Sequence, residues 1–223
     1  CGIVLFLCVC IFLLVGSIAG LSAEQKVRQP SVAGAFYPAE PKELEQMLDG
    51  LLARVPAEKL DGTLIALISP HAGYVYSGQV AAHAYALLKG RKIERVVVIS
   101  PCHIDAFGFS AVYDGDGYAT PLGVIPVDKA FAKELSSKHP LVKLSDHGHV
   151  EVQGRGEHSL EVQLPFLQRV LGPFKLVPIV MGDQSYEASR ALGVSLAKLI
   201  QQERKAAATG SPLSGDTLIV ASS

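Results

Sequence analysis

Four short apolar runs constrain this chain more than any other feature: TLIALIS (63–69), RVVVIS (95–100), FKLVPIVMG (174–182) and DTLIVASS (216–223). They are too short for core helices and too continuous for strands with one wet face, so they predict strands buried on both faces of a parallel sheet. Helical segments lie between them. PKELEQMLDGLLARV (41–55) sets Leu44, Met47, Leu48, Leu51 and Leu52 on one face, and SGQVAAHAYALLKG (77–90) is helical in composition up to Gly90. DKAFAKELSSK (128–138) reads as a helix capped by Asp128, SLEVQLPFLQRVL (159–171) and SYEASRALGVSLAKLIQQERKAA (185–207) as two more, and GVIPV (123–127) as a strand. Strands alternating with helices predict an α/β sandwich, a central mostly parallel sheet flanked by helices. The stretch from 63 to 100 then forms a right-handed βαβ crossover that brings two strands together as neighbours. In such sheets ligands collect beyond the carboxyl ends of the strands.

With 223 residues, 49% of them hydrophobic, the chain has enough material for one full core. A formal net charge of −1 gives no overall attraction for nucleic acid, which is not expected as a partner. Residues 1–23 carry no charge and end in Gly16, Ser17, Ala19, Gly20, Ser22 and Ala23. This order resembles a signal-peptide core followed by a cleavage zone, with a retained N-terminal anchor as the alternative. The globular domain is therefore expected over 24–223. Export to the periplasm or outside the cell follows if the leader is real, membrane contact is expected only through residues 1–23, and a cytoplasmic location is the alternative. The stretch begins with Cys1 and lacks Met and a basic start, which suggests a fragment at this end. Three of the four cysteines, Cys1, Cys8 and Cys10, lie in this segment, leaving Cys102 alone in the domain and no disulfide within it.

Two of the apolar runs end alike. ISPHAGY (68–74) and ISPCHID (99–105) each carry a strand into Ser-Pro and deliver a histidine, His71 or His103, within two residues. Proline stops the ladder and stiffens the turn, fixing the imidazole over the sheet edge. Two neutral imidazoles so placed suit one divalent ion of iron, zinc or copper, whereas a backbone hydrogen bond in each loop is the plainer alternative. A third candidate is Glu157-His158 in GRGEHSLEVQLPFL (154–167), ahead of a helix with Ser159 as a possible cap. There the helix terminus would keep His158 neutral, as a general base or a ligand. Tyr37, Tyr74 and Tyr76 are placed to flank a pocket, with packing as the alternative. Asp116 either faces the crevice or closes a turn in DGDG. DHGHV (146–150) reads as a solvated loop, His83 as a structural helix residue, and His139 as a turn residue before Pro140.

The motifs VAGAFYP (32–38), PHAGYVYSG (70–78), PCHIDAF (101–107), YATPLGVIPVD (118–128), EHSLEVQLPFL (157–167) and LVPIVMGD (176–183) resemble, in this order, those of the Memo family, known in bacteria and archaea as AmmeMemoRadiSam system protein B. The resemblance runs from about Gln29 to the last residue. It implies the αβ sandwich of class III extradiol ring-cleaving dioxygenases, with His71 and His103 on the two metal-binding histidines. It also implies His158 as the active-site acid/base, with Glu157 beside it. The implied cofactor is iron or copper. Two departures stand out. Cys102 occupies a position where the family usually has Ser or Asn; a thiol there is a soft ligand or redox group in one reading and an inert hydrophobe in the other. The family's last strand runs on into a third metal-site residue, whereas this chain stops at Ser223. The third ligand is then expected beyond Ser223, the domain truncated at its C-terminus, and metal binding by the chain as given weak or absent.

The resemblance thus implies a metal-dependent redox or dioxygenase-like enzyme acting on an unknown small substrate; Tyr37, Tyr74, Cys102 and Asp116 are the candidates for the pocket around it. The alternative is a non-catalytic scaffold that holds a peptide or partner protein in the same crevice. Metal-assisted hydrolysis, using water activated near Glu157, ranks third.

Overall fold

The computed structural model describes residues 25–58, 60–208 and 217–223. The expected leader over 1–23 lies outside the described residues. Along the chain come β1 (Val27–Arg28), α1 (Pro41–Ala53), β2 (Ala66–Ser69), α2 (Tyr74–Ala86), β3 (Arg95–Pro101), β4 (Ser110–Val112), β5 (Gly117–Thr120) and β6 (Gly123–Pro126). There follow α3 (Lys129–Ser136), β7 (Val142–Leu144), a 3-10 turn (Glu161–Gln163) leading into α4 (Leu164–Leu171), β8 (Lys175–Met181), α5 (Tyr186–Ala208) and β9 (Thr217–Ser222). Among the described residues no helix is long and apolar enough to cross a membrane.

The main sheet has six strands in the order β2-β9-β3-β8-β4-β7. The first four run parallel, β4 is antiparallel to β8, and β7 is parallel to β4. Alternation along the strands sorts side chains to two layers. Leu67, Val96, Val98, Leu218 and Val220 meet α1, α2 and α4 on one face, while Val97, Val177 and Ile179 meet α3 and α5 on the other. The helical periodicity is realised: Leu44, Leu48, Leu51 and Leu52 of α1 are buried, and Asp128 caps α3 by accepting the Phe131 N–H. The α/β sandwich expected from the apolar runs is the observed fold.

Two expectations need correction. β9 enters between β2 and β3, pairing Leu67 with Val220 on one side and Val97 with Ile219 on the other, so the two Ser-Pro strands are not neighbours. A local βαβ pattern carries no information about a strand that arrives over a hundred residues later. Among the described residues β2 is moreover an edge strand with one open face: Leu67 and Ser69 are buried, but Ile68 is 72% exposed.

A second sheet, β1-β5-β6, stands beside the first and is tied to it by the bridge from Val127 to Leu176. It fixes the N-terminal segment, which then passes over the carboxyl end of the main sheet. Close approach there needs glycine: a Cβ on Gly156 would lie 2.0 Å from Ser31 Oγ.

Candidate metal centre

Because β2 and β3 end side by side but for β9, the loops after them converge over β9. β2 ends at Ser69 and β3 at Pro101, and His71 and His103 meet just beyond with ring centroids 5.2 Å apart. His158, ahead of the 3-10 turn, completes a triangle, with its ring 4.9 Å from His103 and 5.7 Å from His71. One ring nitrogen from each of the three lies within 4.8 Å of the others. The cluster opens to solvent at His103, while His71 and His158 are half-buried. Three imidazoles at this spacing are close enough to hold a metal ion, so among the described residues a third protein nitrogen stands beside the expected two.

Glu157 organises the site. Its side chain is 1% exposed. One oxygen, Oε1, accepts from His103 Nδ1 and from the backbone N–H of His158 and of Ser159, each at 2.9 Å. Oε2 accepts the backbone N–H of His103. Burial alone would raise this carboxyl; the N–H groups of Ser159 and His103 and the His103 ring outweigh it and bring it down to about 2. An ionised carboxylate accepts only, so His103 donates its Nδ1–H there, and Nε2 is the ring nitrogen left to meet a metal. Ser159, expected as the cap, instead donates its hydroxyl to Pro101 O, and Glu157 takes the capping N–H groups.

His71 is lowered from its ordinary value by burial first and then by the neighbouring His103 and His158. His158 is lowered by burial and by His103, against the pull of Glu157. Both imidazoles are therefore held neutral near neutral pH, the form that donates a lone pair. His158 Nδ1 is 3.6 Å from Glu157 Oε1, beyond a hydrogen bond, and its ring rests on Phe36 at 4.9 Å.

Behind the histidines lies a buried ion pair that the sequence reading did not single out. Arg28 Nη1 donates to Glu161 Oε2 at 2.7 Å, and Arg28 also donates to the carbonyls of Glu157 and His149. Glu161 accepts in addition from Tyr37 OH (2.6 Å), Ser31 N (2.8 Å) and Val32 N (3.0 Å). A fully paired buried carboxylate of this kind costs several kcal/mol if one partner is removed. It locks the N-terminal segment against the turn carrying Glu157 and His158.

The other expected pocket residues are placed differently from one another. Tyr37 and Tyr74 are 3% and 5% exposed, and their hydroxyls are engaged inside, Tyr37 on Glu161 and Tyr74 on Val162 O. They pack under the site and do not present phenols to a crevice; Tyr76, by contrast, is 85% exposed. Asp116 pairs with Lys129 Nζ and the Lys26 N–H, and its carbonyl accepts from Val127 at the amino end of β8, away from the histidines. Cys102 is half-buried next to His103 and its thiol is raised by burial, so it stays protonated and poorly nucleophilic. The DHGHV segment is not solvated throughout: His149 is 2% exposed, accepts from Tyr118 OH at Nδ1 and donates from Nε2 to Ala111 O at 3.0 Å.

A family model described as Memo-like protein matches residues 28–214. The chain is 37% identical over 179 residues to a MEMO1 family protein of Aquifex aeolicus, covering 80% of this chain and 63% of that one. It is 40% identical over 184 residues to MEMO1 family protein Mbar_A1422 of Methanosarcina barkeri, with the same coverage of both chains. A MEMO1 family protein of Nitrosopumilus maritimus is 33% identical over 202 residues, covering 88% of this chain and 67% of its own. The chain thus spans less than two thirds of the first two relatives. The motif order, the sheet with its converging histidines and these matches lead to one assignment: the chain belongs to the Memo family, whose fold is that of the extradiol dioxygenases.

Proposed function

We propose that this protein is a metal-dependent redox enzyme, with His71 and His103 as ligands to an iron or copper ion and His158 as the group that moves protons beside it. The observation that carries this reading is the convergence of three imidazoles at one strand-end crevice, two of them, His71 and His158, held neutral by burial. Their surroundings separate the roles. His71 Nδ1 and His103 Nδ1 each meet an oxygen fixed by the protein, as metal-bound histidines ordinarily do, whereas among the described residues His158 Nδ1 has no such partner. The donor set fits the ion, because imidazole nitrogen suits iron and copper and the Glu157 carboxylate adds negative charge behind one ligand. A bound redox ion there would supply Lewis acidity and one-electron exchange with dioxygen or a small organic substrate.

The protein's own residues do the rest. Glu157 orients His103 and holds its Nδ1 proton; His158, neutral and partly exposed, takes a proton from a substrate hydroxyl. Residues 1–23 support an exported location. The test is His158→Ala beside His103→Ala, reading metal content and oxygen consumption together. His103→Ala should lose the metal, whereas His158→Ala should keep it and lose at least about 100-fold in turnover. Loss of metal in His158→Ala would make His158 the third ligand and overturn the division of roles. A metal-loaded protein that consumes no oxygen and leaves catechol-type substrates untouched would favour the partner-binding scaffold.

A further inference from the structure

The hydrogen bonds around the end of β9 fix a proton that no map of heavy atoms displays. Gln163 Nε2 lies 3.1 Å from Pro70 O, and a carbonyl only accepts, so the amide nitrogen must face that side. Its oxygen then takes the Tyr85 hydroxyl at 2.6 Å, and the same nitrogen donates to Ser222 Oγ at 2.7 Å. Ser222 Oγ also lies 2.6 Å from Ser159 O, again an acceptor only, so the single hydroxyl proton of Ser222 points there. One lone pair of Ser222 Oγ remains. His71 Nδ1 sits 3.2 Å from it and can bond to it only by donating.

We propose that Ser222, oriented by Gln163, is a positioning residue that holds His71 as the Nδ1–H tautomer and leaves Nε2 as its metal donor. The proposal rests on the reading of His71 as a ligand. It gives the two ligand histidines matched devices from separate parts of the chain. A carboxylate accepts from His103, and a serine whose own proton is already committed accepts from His71. Ser222 is in place because β9 runs beside β2, with Ser222 opposite Ser69, one residue before Pro70 and two before His71.

The test is nitrogen-15 NMR of the imidazoles in the metal-free protein, followed by titration with Fe(II) without oxygen and with Cu(II). In the unmodified protein His71 should show a protonated Nδ1 and a bare Nε2. Ser222→Ala should shift it toward the Nε2–H tautomer and weaken metal binding by roughly 10–100-fold, and Ser222→Thr, which keeps the hydroxyl, should restore both. Unchanged His149 ring signals would show that the variants remain folded, since that ring is enclosed elsewhere. An Nε2–H tautomer of His71 in the unmodified protein, or a tautomer and affinity untouched by Ser222→Ala, would overturn the proposal. If the tautomer is as expected but neither metal binds the unmodified protein, the metal reading falls and Ser222 loses its role toward a ligand.

Discussion

His149 shows how one buried side chain ties stability to pH. Burial lowers it from 6.5 to about 3; the Ala111 carbonyl and Asp146 pull the other way, and Arg28 and Lys26 add to the lowering. The folded protein therefore refuses a proton that the unfolded chain accepts below pH 6.5. Stability from this group is complete above pH 6.5 and is lost as pH falls toward 3, on the order of 5 kcal/mol over the whole descent. His71 and His158 contribute with the same sign, so the check is a difference: urea midpoints of the unmodified protein should fall on acidification more steeply than those of His149→Gln. Equal slopes would remove His149 from the account. This residue was not legible as buried, because DHGHV has the polar, glycine-bearing composition of a loop. Its burial comes from Tyr118 and Ala111, more than thirty residues earlier. His71 and His103 were legible because strand, proline and histidine lie within one short stretch each. Glu161 and Arg28, 133 positions apart, gave no local sign of their pairing.

At the scale of elements, the apolar runs located the strands but overstated how each is covered. β3 and β8 are covered on both sides, whereas β2 sits at the edge with Ile68 outward and Leu67 inward. Hydrophobic content alone cannot tell a central strand from an edge strand, since order in the sheet is decided by pairings distant in sequence. The two faces of β2 should therefore respond differently. Leu67→Ala, which empties a site in the core beneath α2, should cost about 2–5 kcal/mol, and Ile68→Thr about 0.5 kcal/mol or less, both read from denaturant midpoints. Comparable losses would mean that the Ile68 face is covered in solution. The short strands β1, β4, β5 and β7 escaped the sequence reading because two to four residues carry no usable periodicity. Among them β1 matters most to the site, since it places Arg28 against the turn that carries Glu157 and His158.

For the whole molecule, the sheet is a platform whose carboxyl end gathers residues from four separate stretches: the loops after β2 and β3, the turn before α4, and the end of β9. None of these stretches makes a site alone, and their meeting point is set by β9 entering between β2 and β3. A ligand that binds only the assembled site should stabilise the whole fold, by about 2.7 kcal/mol at a hundredfold excess over its dissociation constant. Adding Fe(II) or Cu(II) should accordingly raise the melting temperature of the unmodified protein, and a chelator should reverse the rise. The most direct measurement is metal stoichiometry by elemental analysis, on the full-length protein loaded with Fe(II) or Cu(II) and then desalted, beside His71→Ala and His103→Ala. About one ion per chain is expected in the unmodified protein, with a loss of at least tenfold in affinity in each variant. Negligible metal in the unmodified protein, or undiminished metal in both variants, would contradict the metal reading.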